Sequence, residues 1–318
     1  MFRRYSIPFL ICLTCLGALL TACNRQTASS DGRLRVAVVL KTLNNPFFIE
    51  MQRGAEEAAK ALNVDLTVQA AERETDVDKQ MQIIENLIQA RVNALAVTPS
   101  GSREVVPAIK KANDANIPVV VVDTRLDEKA AADAGVKTVS FVGSDNYRGG
   151  QLIGEYLAKA SGGKAKVAIL EGIAGHETGD SRVRGFREAV KGSPGIQIVA
   201  SQTANWERDQ GFNVFQNILQ AHPDIDTVFA CNDMMALGAI EAINAGGKAG
   251  KIRVLGFDAV KDARAALESG AMAATVAQYP DEMGKAAVEM AVKALRGEAV
   301  RPDVGVRIGL VTRENARQ

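Results

Sequence analysis

Apolar runs of strand length in this chain repeatedly end on residues able to bind something. Val36-Ala37-Val38-Val39-Leu40 leads into Asn44-Asn45-Pro46-Phe47-Phe48. Val119-Val120-Val121-Val122 stops at Asp123, Val228-Phe229-Ala230-Cys231 at Asn232-Asp233, and Val254-Leu255-Gly256-Phe257 at Asp258. Ala273-Ala274-Thr275-Val276-Ala277 stops at Gln278. Strands without polar alternation belong to parallel sheets covered on both faces. Such open sheets bind ligands outside the carboxyl ends of their strands. The amides, carboxylates and aromatic rings gathered there suit an uncharged, hydroxyl-rich guest such as a sugar.

Strands are expected near 34–40, 64–70, 94–98, 118–122, 138–142, 165–170, 196–202, 226–231, 252–257, 273–278 and 305–311, with helices between most of them. Met81, Ile84, Leu87 and Ile88 form one apolar stripe at helical spacing, and Val105, Ile109 and Ala112 form another. Pro46, Asp145-Asn146 and Pro280-Asp281 mark helix starts. Strand–helix alternation implies right-handed βαβ crossovers. A second series begins at Lys166-Val167-Ala168-Ile169-Leu170, and no Pro- or Ser-rich linker precedes it. The expected fold is α/β, with two doubly wound parallel-sheet lobes and a ligand cleft between them.

The amino terminus reads as a leader. Arg3 and Arg4 precede an apolar stretch, Ile7 to Leu20, too short to span a bilayer comfortably. Leu20-Thr21-Ala22-Cys23 resembles the lipobox of bacterial lipoproteins, which implies cleavage after residue 22 and lipid on Cys23. An ordinary secreted protein cut nearby is the alternative. Residues 23–32 are small and polar, as a flexible tether would be. Beyond Cys23 only Cys231 remains, so no intramolecular disulfide is expected; an inert buried thiol is.

Of 318 residues, 47% are apolar, enough for real cores in two domains. The net charge is +1, with no basic tract, which argues against nucleic acid as a partner. There are two histidines, His176 and His222, and no G-x-S-x-G, P-loop or G-x-G-x-x-G motif. No enzyme is expected, although Asp123 with Asp258 could be imagined as a glycosidase pair. A repressor would need a DNA-binding segment where the leader stands. His176-Glu177-Thr178-Gly179-Asp180 contains metal-capable types, but no matching cluster accompanies them. No metal and no cofactor is expected. The segment reads as a loop leading to the Arg182 helix, with a role behind the site or at the cleft mouth left open.

From Leu34 onward the chain resembles the periplasmic sugar-binding proteins of the ribose-binding type, substrate-binding components of ABC importers. The most specific segments are Thr42-Leu43-Asn44-Asn45-Pro46-Phe47-Phe48, Gly172-Ile173-Ala174-Gly175, Gln216-Asn217-Ile218-Leu219-Gln220-Ala221-His222-Pro223-Asp224, Asn232-Asp233-Met234-Met235-Ala236-Leu237-Gly238-Ala239 and Gly256-Phe257-Asp258. The resemblance implies a three-crossing hinge, with lobes of 33–143 plus 279–307 and of 144–278 plus 308–318. It also implies closure around a monosaccharide or polyol, a membrane permease as partner, and a monomer at the periplasmic or cell-surface side of a membrane. Presenting sugar to a chemoreceptor or sensor kinase is the alternative role. Asn45, Phe47, Phe48, Asp123, Arg182, Asn232, Asp258 and Gln278 fall on the family's sugar contacts, and Trp206 on an aromatic wall. Thr98 stands in place of an asparagine and Thr124 in place of an arginine, so the sugar need not be ribose. Bland readings compete: Asn45 and Asp258 as helix caps, Arg182 as a solvated partner of Asp180.

Overall fold

The computed structural model describes residues 32–317. The leader, Cys23 and all but the last residue of the tether lie outside the described residues. Two six-stranded sheets carry the fold. The first contains β1 (Arg35–Thr42), β2 (Asp65–Ala71), β3 (Ala94–Val97), β4 (Val119–Val122), β5 (Ser140–Ser144) and β11 (Asp303–Val306), in the order β11-β5-β4-β3-β1-β2. The second contains β6 (Lys164–Glu171), β7 (Gly195–Thr203), β8 (Thr227–Ala230), β9 (Arg253–Leu255), β10 (Ala274–Ala277) and β12 (Gly309–Thr312), in the order β12-β10-β9-β8-β6-β7. The two orders match strand for strand, so both lobes reverse direction beside their first strand, where open α/β sheets leave a crevice.

The helices between strands are α1 (Pro46–Leu62), α2 (Val77–Gln89), α3 (Val106–Asp114) and α4 (Glu128–Asp133) in the first lobe. The second lobe has α5 (Asn146–Ala160), α6 (Glu177–Val190), α7 (Arg208–Ala221), α8 (Asp233–Ala245) and α9 (Lys261–Ser269). Helix α10 (Pro280–Leu295) follows a strand of the second sheet yet packs on α1 and the first sheet. The chain therefore passes between lobes three times: after β5, after β10 and between β11 and β12. The expected caps are in place. Asn45 caps α1 with Pro46 at its start, and Asp145 Oδ1 accepts from Arg148 N at the start of α5. Of the stripe on α2, Ile84 and Leu87 are buried, as is all of the stripe on α3.

One sequence expectation needs correction. The single strand expected over 305–311 is two strands, broken at Arg307 and Ile308. Residues 303–306 pair parallel with β5, whereas 309–312 pair with β10 of the other sheet. The second pairing is antiparallel, so that sheet is not wholly parallel. β11 runs parallel to β5 toward the cleft, so a chain that continues straight across enters the second sheet at its carboxyl end and must run antiparallel to β10.

Candidate functional site

The carboxyl ends of both sheets face one cavity between the lobes. Its walls comprise Lys41, Asn45, Phe47, Phe48, Glu74 and Asp123 from the first lobe. Thr178, Arg182, Trp206, Asn232, Asp258 and Gln278 complete it from the second lobe and the crossing after β10. Its free volume is about 20 Å³, room for roughly one water. An outer chamber of about 280 Å³ adjoins it, sharing Asn45, Glu74 and Trp206. The arrangement is closed: the walls must part before a sugar ring can enter.

Local structure fixes the first wall. Asn45 Oδ1 accepts from Phe47 N at 3.0 Å, and its Nδ2 donates to Glu74 Oε1 at 3.0 Å. The cap and the site role thus coexist in one amide. Phe47 and Phe48, on the first turn of α1, meet edge to face at 5.2 Å, which is how adjacent helical residues both reach the cavity. Lys41, at the end of β1, is 3% exposed. Its Nζ lies 2.9 Å from Thr124 Oγ1, 3.1 Å from Asp123 Oδ2 and 3.9 Å from Glu74.

The second wall is built around Arg182. It is 3% exposed, not a solvated partner of Asp180. Its Nε donates to Asn146 Oδ1 at 2.9 Å and its Nη1 to the Cys231 carbonyl at 2.6 Å, with Asp258 Oδ1 at 3.6 Å. The guanidinium stacks 3.8 Å from the Phe257 ring centre. Close approach of α5 and α6 makes this possible: a methyl at Gly150 would stand 2.1 Å from the Arg182 carbonyl oxygen. Trp206 lies on a glycine bed, where a methyl at Gly172 would stand 2.0 Å from its ring. Asn232 caps α8 and holds the Trp206 carbonyl at 3.0 Å. Gln278 Nε2 donates to Asp258 Oδ1 at 2.6 Å. Asp258 caps no helix; α9 begins after Val260.

Backbone strain concentrates here. Asp123, Trp206 and Asp258 have φ of 62°, 70° and 119°, a region non-glycine residues rarely adopt. Such strain is held where the surroundings over-determine it, commonly at ligand sites. Burial pushes the Glu74 carboxyl up to about 7, with Lys41 opposing. Burial also holds Asp258 well above the usual carboxylate range, with Arg182 pulling it back. Two cations thus face three carboxyl groups, two of which burial shifts toward their neutral form. Trp206 Nε1 and Gln278 Oε1 are buried without partners, one a donor and one an acceptor. A guest with hydroxyls and no net charge matches this set, because a hydroxyl both donates and accepts.

All nine residues singled out as ligand contacts border the cavity. Thr98 and Thr124 do not. Thr98 is turned to Met51, and the Thr124 hydroxyl is taken up by Lys41, Asp123 and Thr178. Arg125 points away, stacked on Phe141 and paired with Asp303. Lys41, Glu74 and Thr178 were missed. A lysine closing an apolar strand run was one available signal; Glu74 sits in a polar loop that gives none, and Thr178, on the first turn of α6, lies in a segment singled out only as a loop leading to the Arg182 helix. Cys231 is buried, and its thiol is pushed up to about 12. Among the described residues no group of His, Cys, Asp and Glu could hold a metal, and no helix is long and apolar enough to cross a membrane.

Comparison with known proteins adds a family. The family described as "periplasmic binding protein domain" matches residues 36–299. The ribose import binding protein of Escherichia coli (strain K12) is 39% identical over 91% of this chain and 94% of its own length. A D-ribose/D-allose-binding protein of Pseudomonas aeruginosa is 36% identical, covering 88% and 90%. Among solved structures, an ABC transporter periplasmic solute binding protein from Actinobacillus succinogenes with bound D-allose is 42% identical. It superposes with a TM-score of 0.84 over 90% of this chain and 99% of that one. A solute binding protein from Bacillus halodurans with bound myo-inositol is 32% identical, with a TM-score of 0.81 over 91% and 98%.

Proposed function

This chain belongs to the periplasmic binding protein domain family, and on that footing we propose that it is the substrate-binding component of a sugar ABC importer. It captures a monosaccharide or related polyol by lobe closure and delivers it to a membrane permease. The observation that carries this reading is the convergence of Asn45, Phe47, Phe48, Asp123, Arg182, Trp206, Asn232, Asp258 and Gln278 on one buried cavity between the lobes. The rings of Phe47, Phe48 and Trp206 cover the C–H faces of a sugar, and the amides, carboxyls and Arg182 pair its hydroxyls. Sugar binding favours the closed arrangement and so shifts the lobes toward it. An epimer leaves buried polar groups unpaired, at about 1–3 kcal/mol each, which gives discrimination.

The protein works as a monomer on the periplasmic side, held to the membrane by lipid on Cys23. Metabolic labelling with a fatty acid, lost in Cys23→Ser, tests the anchor. A thermal-shift screen of pentoses, hexoses and polyols, starting with D-ribose, D-allose and myo-inositol, tests the ligand class. Stabilisation by at least one is expected. Silence across the panel, or turnover of glycosides, would overturn the reading.

A further inference from the structure

The segment His176-Glu177-Thr178 has no place among the sugar contacts proposed above, although Thr178 borders the cavity. His176 immediately precedes α6 of the second lobe and Glu177 and Thr178 open that helix, yet their polar atoms bond to the first lobe. His176 Nε2 lies 3.3 Å from the Pro99 carbonyl oxygen. Glu177 N donates to Ser102 Oγ at 3.1 Å. The hydroxyls of Thr178 and Thr124 meet at 3.0 Å. Three consecutive residues thus each bridge the lobes. His176 is 1% exposed and lies edge-on to Trp206, with ring centres 5.8 Å apart. Its Nδ1 is buried without a partner.

We infer that this segment is a latch for the closed state and that neutral His176 is its positioning residue, tying the second lobe to Pro99 while backing Trp206. A carbonyl oxygen only accepts, so Nε2 must carry the hydrogen. Nδ1 is then the bare nitrogen, and a proton arriving there finds no acceptor. The charged groups facing the ring are Lys41 from β1 and Arg182 from α6, both cations. With burial as the larger cause, they hold the imidazole well below its usual range. When the lobes part, the ring regains water and an ordinary pKa near 6.5. Closure therefore expels a proton from His176, and acid favours the open state. Glu74 and Asp258 act in the opposite sense, since their carboxyls favour the proton in the closed state. The contribution of His176 must be isolated by substitution.

The inference rests on the sugar-binding reading for its affinity measurements, and a sugar-free measurement keeps the two separable. Calorimetry with the sugar that stabilises most in the screen is run from pH 7.5 to 5.5 on the full chain and two variants. H176A is expected to weaken binding at least fivefold at pH 7.5. H176Q, which retains a donor but cannot titrate, should recover part of that loss. The affinity of the wild-type protein relative to H176Q should fall about tenfold by pH 5.5, the factor for a group of pKa near 6.5 that must lose its proton to close. A ratio constant with pH would overturn the inference. Without sugar, small-angle scattering at pH 7.5 should give H176A a larger radius of gyration than the wild-type protein. Equal radii would overturn the latch even if a sugar bound, whereas a panel with no binder would sink only the sugar reading.

Discussion

Replacing Arg182 with methionine keeps a long apolar stem against Phe257 and removes the charge. The guanidinium makes two hydrogen bonds, to Asn146 and to the Cys231 carbonyl, and pairs with Asp258 at 3.6 Å. Hydrogen bonds to a charged group contribute about 1.5–3 kcal/mol each, which would suggest a loss of roughly 3–6 kcal/mol for two. Breaking a buried ion pair costs about 3–5 kcal/mol when the orphaned charge persists. Here little orphaned charge is expected: burial holds Asp258 well above the usual carboxylate range even with Arg182 beside it, and removing Arg182, the main influence opposing that push, raises it further. The stability loss should fall at the lower end, about 3 kcal/mol, and should be read from urea unfolding. Binding should lose about 1.5–3 kcal/mol, a factor of roughly 10 to 150 in Kd. Calorimetry with the best sugar of the screen measures this. A Kd within threefold of wild type, in a variant that still unfolds cooperatively, would show that Arg182 holds the fold and not the guest.

Three further outcomes follow from the same geometry. Gly172→Ala places a methyl 2.0 Å from the Trp206 ring and must displace it, so we expect a stability cost of about 1–3 kcal/mol and a shift in tryptophan fluorescence; an unchanged spectrum would refute the glycine bed. Glu74 is protonated more readily folded than unfolded, its carboxyl lying near 7 against 4.5. The contribution of Glu74 to stability should therefore fall as pH rises from about 4.5 to 7, and Glu74→Gln should remove that share of the fall, gaining up to about 3 kcal/mol at pH 8 by chemical denaturation, while the raised carboxyls of Asp233 and Asp258 keep theirs. The rim pair Arg73–Asp209, 3.7 Å apart and more than half exposed on both sides, is expected to matter by less than about 1 kcal/mol in Arg73→Ser, with any effect erased by salt.

Much of the site was legible because the fold puts chemistry where strands end. Asp123, Asn232, Asp258 and Gln278 each follow a run that is apolar but for Thr275, and a parallel sheet leaves only one place for such residues to go. Asn45 carried two signals at once, a cap before Pro46 and a polar group beside two aromatics, and the structure honours both. The cation on the first-lobe wall was harder to read. Thr124 suggested that positive charge had been lost there, whereas Lys41 supplies it from the end of β1, through three-dimensional proximity that spacing does not encode. Glu74 is a loop residue whose burial depends on Asn45 and Lys41 coming to it. The break at Arg307 was hidden because Gly305 to Val311 reads as one strand; only the two partner strands, in different sheets, divide it. Arg307 instead stacks 3.7 Å over Tyr279, so the second and third crossings touch.

That late division has a topological consequence. One edge strand of each sheet comes from within the ten residues Asp303–Thr312. Neither half can finish its architecture until nearly the whole polypeptide is available, and a stop codon near position 302 would bare the flanks of β5 and β10 together. Unpaired flanks of this kind recruit other chains, so a short C-terminal truncation should behave as an aggregation-prone fragment and not as one intact half beside a damaged one.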